Sequence, residues 1–520
     1  MKRLAILLLA CAACLPAAAG LPAQELDPKT LLNPGTDSWP TFNGDYSGRR
    51  YSALAQINQS NVNTLTLAWA FQSRSQTAFS SMPLVMNGIM YATLPNEVFA
   101  IDARTGRQIW RYQRSSQGGG NRGVAMWKDR LIFTTPDAHV ICIDARNGKA
   151  LWDIQIADPA FKGFASMAPL VIRDHVLVAG SGDAADLPGS LLSLDPMTGK
   201  EQWRWNVEPK PGEPGSETWP QDTDVMSRGG GMLWVTGTYD PELNLTYWGT
   251  GNPHPVENGE ARLGANLYTC SIVALNPDTG KLVWYFQASP HDTHDWDTNM
   301  TPVLFDANFD GKPRKLLAQT GKEGLFFVLD RTNGKALVSA PLGESDWYSG
   351  WDERGQPIPR NETEPQPDGA LVHSAFTNWN APSYSPQTGL YYVNERDWIN
   401  VYYLTMPGKK AEGWAGRDFT VVSRSYLKAL DYQTGKVKWA RESTGRGGQG
   451  GILTTAGQLL FTNDTAGNLL ALDPATGKTL WHMYPGGNMA SAPMTYELDG
   501  RQYLVIPVDG VLFAFTLPSH

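Results

Sequence analysis

DARTGRQIW, Asp102 to Trp110, recurs along the chain with a fixed spacing from an acidic or amide residue to a tryptophan. The other full copies are DARNGKALW (Asp144 to Trp152), DPMTGKEQW (Asp195 to Trp203), NPDTGKLVW (Asn276 to Trp284), DYQTGKVKW (Asp431 to Trp439) and DPATGKTLW (Asp473 to Trp481). Two weaker copies are DRTNGKAL from Asp330, which lacks its Trp, and SPQTGLYYV from Ser385. In each copy an apolar strand ends at Asp or Asn, whose side chain can cap a turn. Thr-Gly or Asn-Gly supplies the left-handed position of a tight hairpin, and Trp opens the next strand. One hairpin cannot bury a tryptophan, but a stack of neighbouring sheets can.

Six full and two degraded copies predict eight sheets around an axis, an all-β, eight-bladed β-propeller. A solenoid is the alternative; the irregular gaps between copies favour blades with inserted loops. The composition agrees: 52 Gly, 36 Pro and 19 Trp in 520 residues suit short strands joined by turns. Pro341 to Trp379, between the two weak copies, is unpatterned and reads as an excursion over one face of the ring.

MKRLAILLLACAACLPAAAGLPAQ at the N-terminus has a basic start, a short apolar run and small residues. It reads as a secretory signal peptide, residues 1–23, ahead of a single domain at 24–520. The apolar run is too short to span a bilayer, so the mature protein is expected to be exported, periplasmic and not membrane-spanning. The net charge is −8 with no basic run, which argues against nucleic acid. Only Cys142 and Cys270 follow the signal peptide, so no disulfide framework forms, and the absence of CxxCH excludes covalently attached haem. Both thiols are expected to be buried in strand-like runs.

The densest chemistry lies in SPHDTHDWD, Ser289 to Asp297, with three Asp, two His and a Trp in nine residues. Its residue types leave a solvated loop, a metal site and a proton-transfer site open. His291 and His294 read as packing residues. DANFDG (Asp306 to Gly311) reads as a turn, because a Ca²⁺ loop needs an acidic residue where Leu317 stands.

The Trp repeat, NRGVA, YDPELNLTYWGTGNP and PHDTHDWD, in this order, resemble the quinoprotein alcohol dehydrogenases, the methanol/ethanol dehydrogenase family. The resemblance runs from WPTFNGDYSGRRYSAL onward. It implies pyrroloquinoline quinone as cofactor with a metal ion beside it. It also implies a small alcohol as substrate, an aldehyde as product and a soluble cytochrome c as electron acceptor. Oligomeric state stays open, a homodimer included.

The resemblance places the catalytic base at Asp295, at the end of the P-x-D-x-x-D pattern, with Asp292 as acidic neighbour. Trp234 in GGGMLWV is the ring that sandwiches the quinone. Arg122 in NRG, Ser166, Ser181, Lys322 in GKEG and Asn394 in YYVNE match polar quinone contacts. Asn252 in GTGNP and Asp183 in SGDAADLPG match metal ligands; an ungapped match to the family's Glu lands on Ala184, and Asp186 is the alternative. Asp297, two residues after the base, would share its face if both lay on a strand. It matches the extra Asp of the lanthanide-using branch, so a lanthanide is favoured over Ca²⁺, since added negative charge suits a trivalent ion.

The chain departs from the family at several points. Ser116 and Gln117 replace adjacent Cys, Ser80 replaces an acidic quinone contact, and Gln449 replaces a Trp near the start of the last blade. These departures keep a second reading in view, a non-catalytic propeller serving as a binding scaffold.

Overall fold

The computed structural model describes residues 31, 34–115, 119–158, 163–182, 187–221, 224–227, 229–443, 445 and 448–518. The proposed signal peptide, Ser116, Gln117 and Asp183 to Asp186 lie outside them, as does the Ser181 side chain. Among the described residues the helical segments are all short 3-10 turns, and no helix is long and apolar enough to cross a membrane.

The described strands form eight sheets of four or five strands, antiparallel except where Tyr51–Ser52 pairs in parallel with Leu453–Thr455, plus a two-stranded hairpin at Tyr348–Trp351 and Pro357–Pro359. Numbered along the chain, sheets 1 to 7 open at Leu84, Val124, Leu170, Thr238, Val303, Ala370 and Leu453. The eighth, Met494–Leu498, Arg501–Val508 and Val511–Thr516, takes its fourth strand, Thr66–Gln72, from the other end of the chain. Shared apolar cores link sheets 1 to 4, 4 to 5, 5 to 6, 6 to 7, and 7 through 8 back to 1. The result is a closed ring of sheets, a β-propeller. Closure joins the two ends of the chain in one sheet.

The repeat explains the ring. Each full copy is the turn between the third and fourth strands of a sheet. Asp102 Oδ1 accepts the Arg104 N–H at 2.8 Å, and Gly106 takes a φ of 71°. A Cβ there would come within 2.8 Å of the Trp69 ring, because the indole of the preceding sheet lies on that glycine. Trp69 also donates to Ala103 O at 3.1 Å. The pattern then repeats around the ring: Trp110 donates to Ala145 O, Trp152 to Pro196 O, Trp203 to Pro277 O, Trp284 to Arg331 O and Trp439 to Pro474 O. Each tryptophan therefore belongs to one sheet and docks on the turn of the next.

Two sequence expectations change. The weak copy at Ser385 marks no sheet of its own: it is the turn between Ser383–Ser385 and Leu390–Leu404, inside the sheet that already carries Asp431 to Trp439. The eighth sheet has no copy, because its fourth strand comes from the N-terminal side. Gln449 precedes sheet 7, one sheet before the closing one. The Asp330 copy does mark sheet 5, with Val338 where others have Trp.

Candidate active site

Residues 289–302 connect sheets 4 and 5 without forming a strand. Asp292 organises this loop: its carboxylate oxygens accept the N–H groups of His294 and Trp296, both at 3.1 Å. Between them Asp295 adopts a left-handed φ of 60°. Asp295 and Asp297 therefore reach one cavity through this kink, and not through the strand alternation expected from the sequence. Asp292 is turned into the loop as its brace. Arg262, fully buried, donates to Pro255 O at 2.7 Å, to Val256 O at 2.6 Å and to Asp292 O, tying the segment after Asn252 to the same loop.

His294 stacks on Trp296 at 4.0 Å and donates to Thr363 O at 2.8 Å. Burial pushes it down to about 3, so it is neutral packing, as the sequence suggests. The long excursion after Pro341 thus braces the Asp295 loop from behind. Trp347 packs against Trp296 at 4.6 Å and donates to Glu323 O at 3.0 Å.

A cavity of about 220 Å³ is lined by Arg122, Ser166, Trp234, Asp295, Asp297 and Lys322, with Phe164, Met232 and Trp414. Six residues singled out in the sequence meet here. Lys322 Nζ lies 2.8 Å from Asp295 Oδ2 and 2.6 Å from Asp297 Oδ2. The Asn252 amide terminus lies 3.2 Å from Asp295 Oδ1 and 3.0 Å from Asp297 Oδ1. Turned nitrogen-in, it donates to both; turned oxygen-in, it makes a third oxygen beside them. The Asn252 N–H donates to Asp297 Oδ1 at 2.9 Å. Gly251 allows this approach, since a Cβ there would stand 2.8 Å from Asp297 Oδ1.

The Arg122 guanidinium stands 4.7 Å from the Trp234 ring centre, and Lys322 Nζ 5.6 Å from it. Arg122 donates to Ser166 Oγ, while its buried Nε has no partner. Burial lowers Arg122 to about 10. Burial raises Asp295 well above the usual carboxylate range; Lys322 pulls it down and Asp297 pushes it up. Lys322 is raised by Asp295 and Asp297 against its own burial.

Asn394 lies outside this cavity. It lines a neighbouring one of about 280 Å³ with Trp379 and Gln449, and Arg122 stands 5.1 Å from Trp379 between the two. Together the cavities approach the several hundred Å³ that a cofactor-sized ligand occupies. A larger groove, about 1,590 Å³, lies between the outer strands of sheets 3, 4 and 5, remote from all these residues. The chemistry decides for the smaller, buried cavities.

The residues present fit a quinone and a metal ion. Two carboxylates and an amide offer hard oxygens to a cation, with one lysine to offset two negative charges. The Trp234 ring on the cavity wall and the unpartnered Arg122 Nε offer a platform and a donor to a planar, oxygen-rich ring. Phe164, Met232, Trp379 and Trp414 were not legible as site residues; Trp414 comes from the connection between two long strands, Leu390–Leu404 and Gly416–Asp431. Cys142 and Cys270 are both buried and free; Cys270 sits just before its strand rather than in it.

The profile of the PQQ glucose/ethanol/alcohol dehydrogenase β-propeller domain matches residues 39–371 and 433–504. The quinohemoprotein alcohol dehydrogenase of Comamonas testosteroni is 36% identical, over 91% of this chain and 73% of that protein. The solved quinohemoprotein alcohol dehydrogenase ADHIIG of Pseudomonas putida HK5 superposes with a TM-score of 0.89 at 29% identity, covering 95% of this chain and 82% of that one. A europium-containing methanol dehydrogenase superposes with a TM-score of 0.84 at 27% identity, covering 94% and 99%. The chain belongs to the PQQ-dependent glucose/ethanol/alcohol dehydrogenase family, quinoprotein oxidoreductases built on this β-propeller.

Proposed function

We propose that the protein oxidises a primary alcohol to an aldehyde in the periplasm, with Asp295 as the base and a soluble cytochrome c as electron acceptor. The eight sheets are taken as eight blades of one domain at 24–520, behind a signal peptide at 1–23. The observation that carries this reading is the convergence of Asp295, Asp297, Asn252 and Lys322 on one wall of a cavity that also presents the Trp234 ring.

When bound, pyrroloquinoline quinone supplies the two-electron acceptor and the metal ion a Lewis acid. Trp234 would offer its flat face to the ring, with Arg122, Ser166 and Asn394 as polar contacts; Ser181, the further contact implied by the resemblance, has its side chain outside the described residues. Asn252, Asp295 and Asp297, with Asp183 or Asp186, would hold the metal. Asp297 and the likeness to a europium-containing enzyme support a lanthanide over Ca²⁺.

Asp295 accepts the proton of the alcohol hydroxyl. Its burial makes it more basic than a carboxylate in water, while Lys322 at 2.8 Å pulls the other way and favours the ionised form. Lys322 also holds positive charge close to the Trp234 face, where it would stabilise negative charge on a bound, reduced quinone. Phe164, Met232 and Trp414 exclude water from the reacting hydroxyl.

The test is reconstitution. Purified cofactor-free protein, given the quinone and a lanthanide, should bind the quinone with quenched tryptophan fluorescence. It should then oxidise a primary alcohol with an artificial acceptor. A wild type that binds no quinone refutes the reading and leaves the scaffold in its place.

A further inference from the structure

Beyond Trp379, the neighbouring cavity of about 280 Å³ has an unusual lining. It contains one cation, Arg396, several side-chain amides, and no Asp or Glu among the described residues. Arg396 lies two residues after Asn394 on the strand Leu390–Leu404, so the two share a face. It stands directly across from Phe376, which also lines the cavity. The acidic residues on either side point to the other face and are engaged there: Glu395 pairs with Lys428 at 2.9 Å, and Asp397 with His373 at 2.6 Å. Arg396 itself makes no ion pair or hydrogen bond with a described residue.

The amides around it differ in what they can offer. Gln449 is directed to Asn394 and to Tyr426 O, and Asn394 donates to Gly450 O at 2.6 Å. Asn378 spends only its oxygen, accepting the Trp379 N–H at 2.8 Å, which leaves its nitrogen free to donate. A guanidinium fork that shares a cavity with a free amide donor, with no carboxylate among its described lining residues, matches a carboxylate, which Arg binds through two parallel hydrogen bonds.

We propose that this cavity is a carboxylate-binding subsite organised by Arg396. The inference rests on the quinone-enzyme reading, and the carboxylate has two available sources: the quinone, itself a polycarboxylate, or a hydroxy-carboxylic acid substrate whose alcohol end reaches Asp295.

The test compares wild type, Arg396→Gln, Arg396→Lys and, as control, Arg424→Gln, which alters an exposed arginine on the adjacent strand. Quinone affinity is measured on cofactor-free protein by fluorescence quenching. KM is measured on loaded enzyme for a hydroxy-carboxylic acid and for a neutral alcohol of equal length. Loss of a charge-assisted contact predicts an effect of about tenfold or more. Weakened quinone binding in Arg396→Gln assigns the subsite to the cofactor. Unchanged quinone binding with a raised KM for the hydroxy acid alone assigns it to the substrate. Arg396→Lys should fall between wild type and Arg396→Gln, and Arg424→Gln should match wild type. Equal urea midpoints show that the variants are folded. Both quantities within twofold of wild type in Arg396→Gln overturn the subsite, whereas a wild type that binds no quinone overturns the functional reading first.

Discussion

Replacing Lys322 by methionine keeps the apolar stem and removes the one positive charge placed between two carboxylates. Lys322 Nζ is 2.8 Å from Asp295 and 2.6 Å from Asp297, with little water around it. Two routes estimate the cost. Removing one partner of a buried ion pair destabilises by about 3–5 kcal/mol. Alternatively the carboxylates adapt by binding a proton. Holding a carboxyl of ordinary pKa about 3.9 protonated at pH 7 costs roughly 1.4 kcal/mol for each of about three units, or about 4 kcal/mol. The routes agree, so cofactor-free Lys322→Met should lose about 4 kcal/mol at pH 7.

The proton route also fixes the pH dependence. A carboxyl raised in the fold adds stability that is complete below its unfolded value and is lost as pH rises through its folded value. The variant should therefore recover about 2–3 kcal/mol of its deficit, relative to wild type, between pH 7 and pH 5. A bound cation should restore it at pH 7 by taking the place of the ammonium. Urea unfolding at pH 5, 6 and 7, with and without La³⁺, reads all of this. A deficit below about 1 kcal/mol, or one independent of pH and of La³⁺, would refute the charge-compensation argument.

Trp110→Ala removes an indole that donates to Ala145 O and covers Gly148, and should cost about 3 kcal/mol in urea unfolding. Trp481→Ala should cost at least about 1 kcal/mol less, because the eighth sheet offers no such turn for docking; equal costs would undo the docking account. Burial pushes His294 down to about 3, so its contribution is complete above pH 6.5 and is lost as pH falls. Wild-type stability should thus fall more steeply than that of His294→Phe below pH 6.5, by up to about 1.4 kcal/mol per pH unit; parallel curves would contradict a neutral His294. Asp297→Ala should weaken La³⁺ binding more than Ca²⁺ binding in direct titrations, and an equal loss for both would remove Asp297 from the choice of metal.

The ring was legible because its signal is local. An Asp-capped turn, a left-handed Gly and a Trp at fixed spacing write the turn that receives one indole and the indole that docks on the next turn into nine residues. The same signal misled at Ser385, where the turn chemistry recurs without a tryptophan and joins two strands within one sheet. The closing sheet could not announce itself, since its fourth strand comes from the far end of the chain. In the site, Asp295 and Asp297 stood out by type and Asn252 by the family resemblance of GTGNP, but the route that brings them together did not. A left-handed kink braced by Asp292 replaces the strand alternation that spacing suggested. Phe164, Trp379, Trp414 and Arg396 reach their cavities through long-range packing, and no local pattern marks them. Arg262 was equally silent, because its partners are mostly backbone carbonyls brought near by the fold.

The central claim is that Asp295 takes the hydroxyl proton, and single-turnover reduction of the bound quinone tests it most directly. Wild type and Asp295→Asn, each loaded with quinone and metal, are mixed with a primary alcohol without an electron acceptor, and quinone absorbance is followed. The account predicts that Asp295→Asn still binds the quinone, since Trp234, Arg122 and Lys322 are intact. It also predicts that quinone reduction slows by about 100-fold or more, the usual worth of a positioned general base. Reduction at the wild-type rate by a fully loaded Asp295→Asn would contradict it.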